Sequence, residues 1–154
     1  MFAYYMDSSG LVKRYIAEVG STWLRGITDP AAGNDIYIGR ITTVEIVAAL
    51  TRRARSGTIS VGDAAAACLL FRNDLSYDYE ILEITEALVN HAMQLAEIHG
   101  LRGYDAVQLA AACETNVIVV AQGLPPITFI SADNELNAAA VSEGLAVENP
   151  NSYP

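Results

Sequence analysis

Positive charge runs out two-thirds of the way along this chain. Of nine Lys and Arg residues, seven (Lys13, Arg14, Arg25, Arg40, Arg52, Arg53 and Arg55) stand in the first 55 positions, and none follows Arg102. With eighteen acidic residues the net charge is −9, which argues against a nucleic-acid binder if the charge is averaged. The average hides a basic N-terminal third. Cysteine is equally scarce: Cys68 and Cys113 each sit in Ala-rich helical sequence, which excludes a disulfide scaffold and a metal clip and fits reduced, buried thiols. The two histidines, His91 and His99, have no partner at ligand spacing, so zinc is not expected. No Gly/Ser or Pro tract marks a linker, and no run approaches the ~18–20 apolar residues of a membrane span. A basic leader with an apolar stretch behind it is also missing, which makes a cytoplasmic protein without membrane contact the expectation. Walker and dinucleotide glycine loops do not occur. What remains is 154 residues that are 52% hydrophobic and 18% charged, read as one domain over 1–148 with a polar tail over 149–154.

The opening stretch organises the rest. Phe2 to Met6 is apolar on both faces and runs into Asp7, the pattern of a parallel strand covered on each side, with an acid at its carboxyl end. The spacing of Leu11, Val12, Tyr15 and Ile16 predicts an amphipathic helix over 11–18 that Gly20 ends, with Lys13 and Arg14 facing out. A short helix over 21–28, a Pro/Gly/Asn loop and a strand at Ile36–Ile38 follow. Further helices are expected from Thr42 or Thr43 to Arg55, from Ser60 to Asp74, from Thr85 to His99 and from Tyr104 onward, with a strand over 79–84 between the second and third. Val117–Val120 has strand propensity, yet no turn signal precedes it before Gly123, so it is read as a buried helical continuation. A strand at Ile127–Ser131, a helix at Asn134–Glu143 and a strand at Leu145–Val147 complete the chain. Repeated βα units imply an α/β, three-layer domain with a mostly parallel sheet and helices on both faces.

Four carboxylates stand where a solvated charge is not expected: Asp7, Glu45, Asp105 and Asp133. Each has a structural use. Asp7 and Asp133 can cap the helices that follow them, Glu45 completes a Thr42-x-x-Glu45 capping box, and Asp105 sits in a first turn that favours an acid. Together they read differently. Two follow strand ends and two open helices that can flank the same sheet edge, where ligands of open α/β sheets sit. Carboxylates brought together raise one another's pKa, and a divalent cation relieves that repulsion. Oxygen-only ligation selects Mg²⁺ or Mn²⁺, and the chemistry that follows is attack of metal-activated water on a phosphodiester.

The strings Asp7-Ser8-Ser9-Gly10-Leu11-Val12-Lys13-Arg14-Tyr15, Thr43-Val44-Glu45-Ile46-Val47-Ala48-Ala49-Leu50, Leu101-Arg102-Gly103-Tyr104-Asp105-Ala106-Val107-Gln108-Leu109-Ala110-Ala111 and Phe129-Ile130-Ser131-Ala132-Asp133 together resemble a PIN-domain protein, in particular the VapC-type toxins of toxin–antitoxin pairs. The resemblance spans nearly the whole chain. It implies that Asp7, Glu45, Asp105 and Asp133 are metal-binding acids and that Ser9 and Ser131 support them or the scissile phosphate. It also implies an endoribonuclease, usually a homodimer, held inactive by a cognate antitoxin. Two features depart from the pattern: the acidic net charge, and the apolar length of Val117 to Pro126, which suits a dimer contact. RNA is expected to run along Lys13 and Arg14, a turn or so beyond Asp7, and Arg52 and Arg53, about two turns beyond Glu45. A receiver domain would need adjacent acids near the first strand, and a haloacid-dehalogenase-like phosphatase would need Asp-x-Asp where Ser9 stands. The remaining alternative is a non-catalytic PIN-like module that binds RNA or protein, with the acids serving as caps.

Overall fold

The computed structural model describes residues 1–154. Five strands, β1 (Ala3–Met6), β2 (Asp35–Gly39), β3 (Glu80–Leu82), β4 (Thr128–Ile130) and β5 (Ala146–Glu148), form one sheet in the order β3-β2-β1-β4-β5, every neighbouring pair parallel. Seven helices connect them: α1 (Ser8–Tyr15), α2 (Ser21–Thr28), α3 (Arg40–Arg55), α4 (Val61–Asp74), α5 (Glu86–His99), α6 (Gly103–Ala121) and α7 (Asn134–Ser142). The three-layer expectation holds.

Two hydrophobic cores flank the sheet. One gathers Ala3 and Tyr5 of β1 and Phe129 of β4 against Leu88 and Leu95 of α5, Leu109 and Val119 of α6, and Leu136 of α7. The other gathers Met6, Ile36, Ile38 and Ile130 against Leu11 of α1, Leu24 of α2, Ile46 and Leu50 of α3, and Phe71 of α4. Successive strand residues therefore feed opposite cores, which is why β1 shows no polar alternation. Val117–Val120 belongs to α6, as the missing turn signal implied, and the helix ends only at Gln122. No helix is long and apolar enough to cross a membrane.

Several boundaries differ from expectation, each for a local reason. Helix α1 covers 8–15 rather than 11–18: Asp7 caps it directly at the end of β1, and the chain is already extended at Ile16. Gly20, in the left-handed region at φ 87°, precedes α2 instead of ending α1. Helix α3 begins at Arg40 with Gly39 as its cap, so Thr42 lies inside it and no Thr42–Glu45 capping box exists. Residues 149–154, expected as a tail, fold back onto α2: Pro150 is buried, Tyr153 stacks on Trp23 at 4.1 Å with the rings parallel, and its hydroxyl donates to Glu148 at 2.7 Å.

The sheet order places β1 at the switch point, with β2 on one side and β4 on the other, and a crevice opens beyond their carboxyl ends. Helix α1 lies hard against β4 there, because a Cβ on Gly10 would come within 2.9 Å of the Ile130 carbonyl oxygen. Gly10→Ala is accordingly expected to destabilise the fold by about 1–3 kcal/mol through overpacking, read as a lower midpoint in urea; an unchanged midpoint would mean that α1 is free to shift.

Candidate active site

A cleft of about 720 Å³ opens at that crevice, and its lining includes all four acids, Asp7, Glu45, Asp105 and Asp133. They reach it from the end of β1, the second turn of α3, the first turn of α6 and the residue that caps α7.

Asp7 is the fixed point. It is 4% exposed, and its carboxylate accepts from the Gly10 backbone N–H at 2.9 Å, from the Ser9 hydroxyl at 2.8 and 2.9 Å, and from the Ser131 hydroxyl at 2.7 Å. Those hydroxyls in turn accept backbone N–H groups of the loop after β4: Ser9 from Ala132 at 2.9 Å and Ser131 from Asp133 at 3.1 Å. The two serines thus tie the β4 loop to the β1 acid, and this contact is their visible role. Burial nevertheless pushes the Asp7 carboxyl up to about 6, against the lowering effect of those donors.

Glu45, freed from any capping duty, is held from two sides. Gln108 Nε2 donates to its Oε1 at 2.7 Å and Ser8 Oγ to its Oε2 at 3.1 Å. Gln108 was not singled out from the sequence, yet it is 1% exposed and its amide orientation is dictated. Its Oε1 accepts the Tyr5 hydroxyl at 2.7 Å and its Nε2 also reaches Thr42 at 2.8 Å; flipping the amide would set its oxygen against the Glu45 carboxylate. The available signal was a polar side chain one turn beyond Asp105, within the apolar run of α6. Asp105 itself has no hydrogen-bond donor, and burial, followed by the Asp133 and Glu45 charges, pushes its carboxyl up to about 6. Asp133 caps α7 through the Leu136 N–H at 3.0 Å while half-buried on the cleft wall.

The basic residues divide. Arg52 and Arg53 line the cleft, and so does Lys13, but Lys13 does not face out: its side chain is 7% exposed and pairs with Glu18 at 3.2 Å. Arg14 points elsewhere. It bonds Asp78 at 2.6 Å and the Tyr79 hydroxyl at 2.7 Å, beside Asp74 at 3.3 Å, in a separate pocket. The reason is packing: adjacent positions on α1 face different neighbours, and the buried Asp74 of α4 together with the half-buried Asp78 before β3 claims the guanidinium.

No three of the acidic side chains, with or without a His or Cys, stand close enough to enclose a metal ion by themselves. The donor set still suits a hard divalent cation, since it is all oxygen and two of its members are raised by burial and mutual repulsion. Mg²⁺ usually keeps several waters and takes only one or two carboxylates directly. Asp7, Glu45, Asp105 and Asp133 are the residues on this cleft that could hold it.

The class is therefore a parallel three-layer α/β domain with a carboxylate-lined cleft at the switch point of its sheet. More specifically, residues 4–141 match the PIN domain, and the chain belongs to that family. Among curated proteins it is 30% identical over 151 residues to ribonuclease VapC45 of Mycobacterium tuberculosis, covering 93% of this chain and 92% of that one. Ribonuclease VapC49 from another strain of the same species matches equally well. Solved structures share the fold at lower identity. VapBC2 from Rickettsia felis, bound to a DNA fragment from its promoter, has a TM-score of 0.63 at 15% identity, covering 96% of this chain and 98% of that one. PAE2754 from Pyrobaculum aerophilum has 0.60 at 22%, covering 95% and 89%.

The raised carboxyls set a pH dependence. Asp7 and Asp105 bind protons more tightly folded than unfolded between their ordinary value of 3.8 and about 6, so their contribution to stability is present below that window and is lost as pH rises through it. Metal-free protein is expected to lose melting temperature from these groups over that range, and Mg²⁺ or Mn²⁺ added at neutral pH should restore it. A neutral-pH melting temperature indifferent to both ions would count against a cation at these acids.

Proposed function

We propose that this chain is a divalent-metal-dependent endoribonuclease, the toxin component of a toxin–antitoxin pair, hydrolysing RNA phosphodiester bonds. The observation that carries this reading is the meeting of Asp7, Glu45, Asp105 and Asp133, far apart in sequence, on one cleft. Membership of the PIN family supports it, as do two relatives at 30% identity over almost the full chain whose names are ribonucleases. PIN-domain ribonucleases are generally divalent-metal dependent, and Mg²⁺ or Mn²⁺ is the ion these oxygen donors suit. Bound there, the ion would lower the pKa of the attacking water and offset charge on the phosphate. Asp7, braced by three donors, orients the site. Asp105, which accepts no hydrogen bond from the protein, is left open to the ion, whose charge would offset the burial and repulsion that raise its carboxyl.

The partners follow from the same reading. RNA lies in the cleft, an antitoxin restrains the enzyme, and the protein works as a homodimer in the cytoplasm, where Cys68 and Cys113 stay reduced. Val117, Ile118 and Val120 on the outer face of α6 are exposed apolar side chains of the kind a second copy covers. The alternative, a non-catalytic PIN-like module, draws on one observation: the acids do not enclose a metal ion by themselves.

Asp7→Asn decides between them. It is expected to abolish Mg²⁺- or Mn²⁺-dependent cleavage of RNA while the protein stays folded, and Asp133→Asn should cost less. Wild-type rates in Asp7→Asn would leave the binding-module reading standing. Glu45→Gln is expected to keep the melting temperature near wild type, because no capping box is lost, and to remove most activity; retained activity with lost stability would make Glu45 structural.

A further inference from the structure

The cleft that holds the four acids is also lined by Lys13, Arg52 and Arg53, and a single carboxylate, Glu18, lies between two of these cations. Lys13 on α1 donates to Glu18 Oε1 at 3.2 Å, and Arg53 on α3 approaches Glu18 Oε2 at 3.6 Å; Lys13, Glu18 and Arg53 all line the same cleft as the four acids. Lys13 is six residues beyond Asp7, about 9 Å along α1 at ~1.5 Å per residue. Its ammonium carries three donors and spends one of them, although the side chain is 7% exposed. Such a buried charge, with donors to spare and a second cation across one anion, is arranged for an acceptor with more oxygens than a carboxylate offers.

Resting on the ribonuclease reading above, we propose that Lys13 and Arg53 form a seat for an RNA phosphate next to the cleaved one, and that Glu18 fills this seat as an internal anion until RNA displaces it. Glu18 is free to leave. Its side chain, 31% exposed, has no partners besides these two cations. Its backbone is secured separately, its N–H donating to Ser21 Oγ at 2.9 Å and its carbonyl accepting the Ser21 N–H at 3.1 Å. The carboxylate can therefore swing away without the α1–α2 turn opening. In the free protein it also prevents two cations from facing each other across an empty cleft. Each RNA molecule that binds must outcompete it, so the seat favours a polyanion whose neighbouring phosphates engage this seat and the acid-lined site at once.

The competing account is that Glu18 merely pins the α1–α2 turn to α3. The two differ in what Glu18→Gln does. Binding of a short fluorescein-labelled single-stranded RNA of mixed sequence, followed by anisotropy across a salt series, would be measured in an Asp7→Asn background so that the RNA stays intact. With Glu18→Gln added, the seat predicts binding tighter by about threefold or more and a salt slope steeper by roughly 0.7 per phosphate newly engaged. It also predicts that this gain shrinks when Arg53→Met is present and disappears when Lys13→Met and Arg53→Met are both present, a coupling that loss of a pinning contact would not produce. Glu18→Gln binding equal to or weaker than its parent overturns the proposal, and so does a gain that persists undiminished when Lys13→Met and Arg53→Met are both present. Cleavage assayed in parallel on the wild type separates the two levels: RNA cleaved normally with no Glu18 effect removes the seat alone, whereas a wild type that neither cleaves nor binds RNA removes the ribonuclease reading and the seat with it.

Discussion

A buried carboxylate at the end of the central strand is the constraint on which the site depends. Asp7 is almost fully buried at the wall of the cleft, and leaving it without donors inside the sheet edge would cost several kcal/mol. The chain answers by starting α1 at once, so that the Gly10 N–H points back at the carboxylate, and by bringing the Ser9 and Ser131 hydroxyls to its oxygens. Since Ser131 lies beyond β4, that last contact joins residues 124 apart in sequence. The close approach of α1 to β4 at Gly10 and the parallel pairing of β1 with β4 are the geometry that makes it possible.

From that anchor the other acids are placed by progressively softer means. Glu45 is positioned by a relay running from the Tyr5 hydroxyl through Gln108, so the strand that carries Asp7 also sets the orientation of the α3 acid. Asp133 takes its place from the loop fastened to Ser9 and Ser131 and from its own capping bond. Asp105 has no such restraint and is therefore the member most exposed to the field of its neighbours. A site whose parts are graded from rigid to unrestrained suits the proposed use, in which an ion and a phosphate supply the missing charge balance.

The acidic net charge ceases to be an obstacle once the basic residues are located. Arg52 and Arg53 project from α3 into the cleft, and Lys13 reaches it from α1, so positive potential is concentrated beside the acids instead of being spread over the surface. Low-dielectric walls strengthen such a local field.

Periodicity, caps and breakers were enough to reveal five strands, seven helices and a parallel sheet, because those features are written in local sequence: apolar runs such as Phe2–Met6, Asx and Thr caps, and the absence of a turn before Gly123. Asp7, Asp105 and Asp133 were conspicuous for a related reason, since each stands at an element boundary or in a first turn, whereas Glu45 lies in the second turn of α3. What sequence left undecided depended on which neighbours come to occupy the space around a side chain. Lys13 and Arg14 are adjacent and chemically alike, yet packing turns one into the cleft and gives the other to Asp74 and Asp78. Thr42 and Glu45 have the spacing of a capping box, but β2 runs straight into α3 at Gly39 and moves the cap three residues upstream. Gln108, not singled out from the Ala-rich sequence, takes its role from Tyr5 and Glu45, which the fold brings to either side of it. Local sequence specified the elements and their charged ends; only the assembled sheet, by bringing together groups a hundred residues apart, decided which charges face one another and which are spent elsewhere.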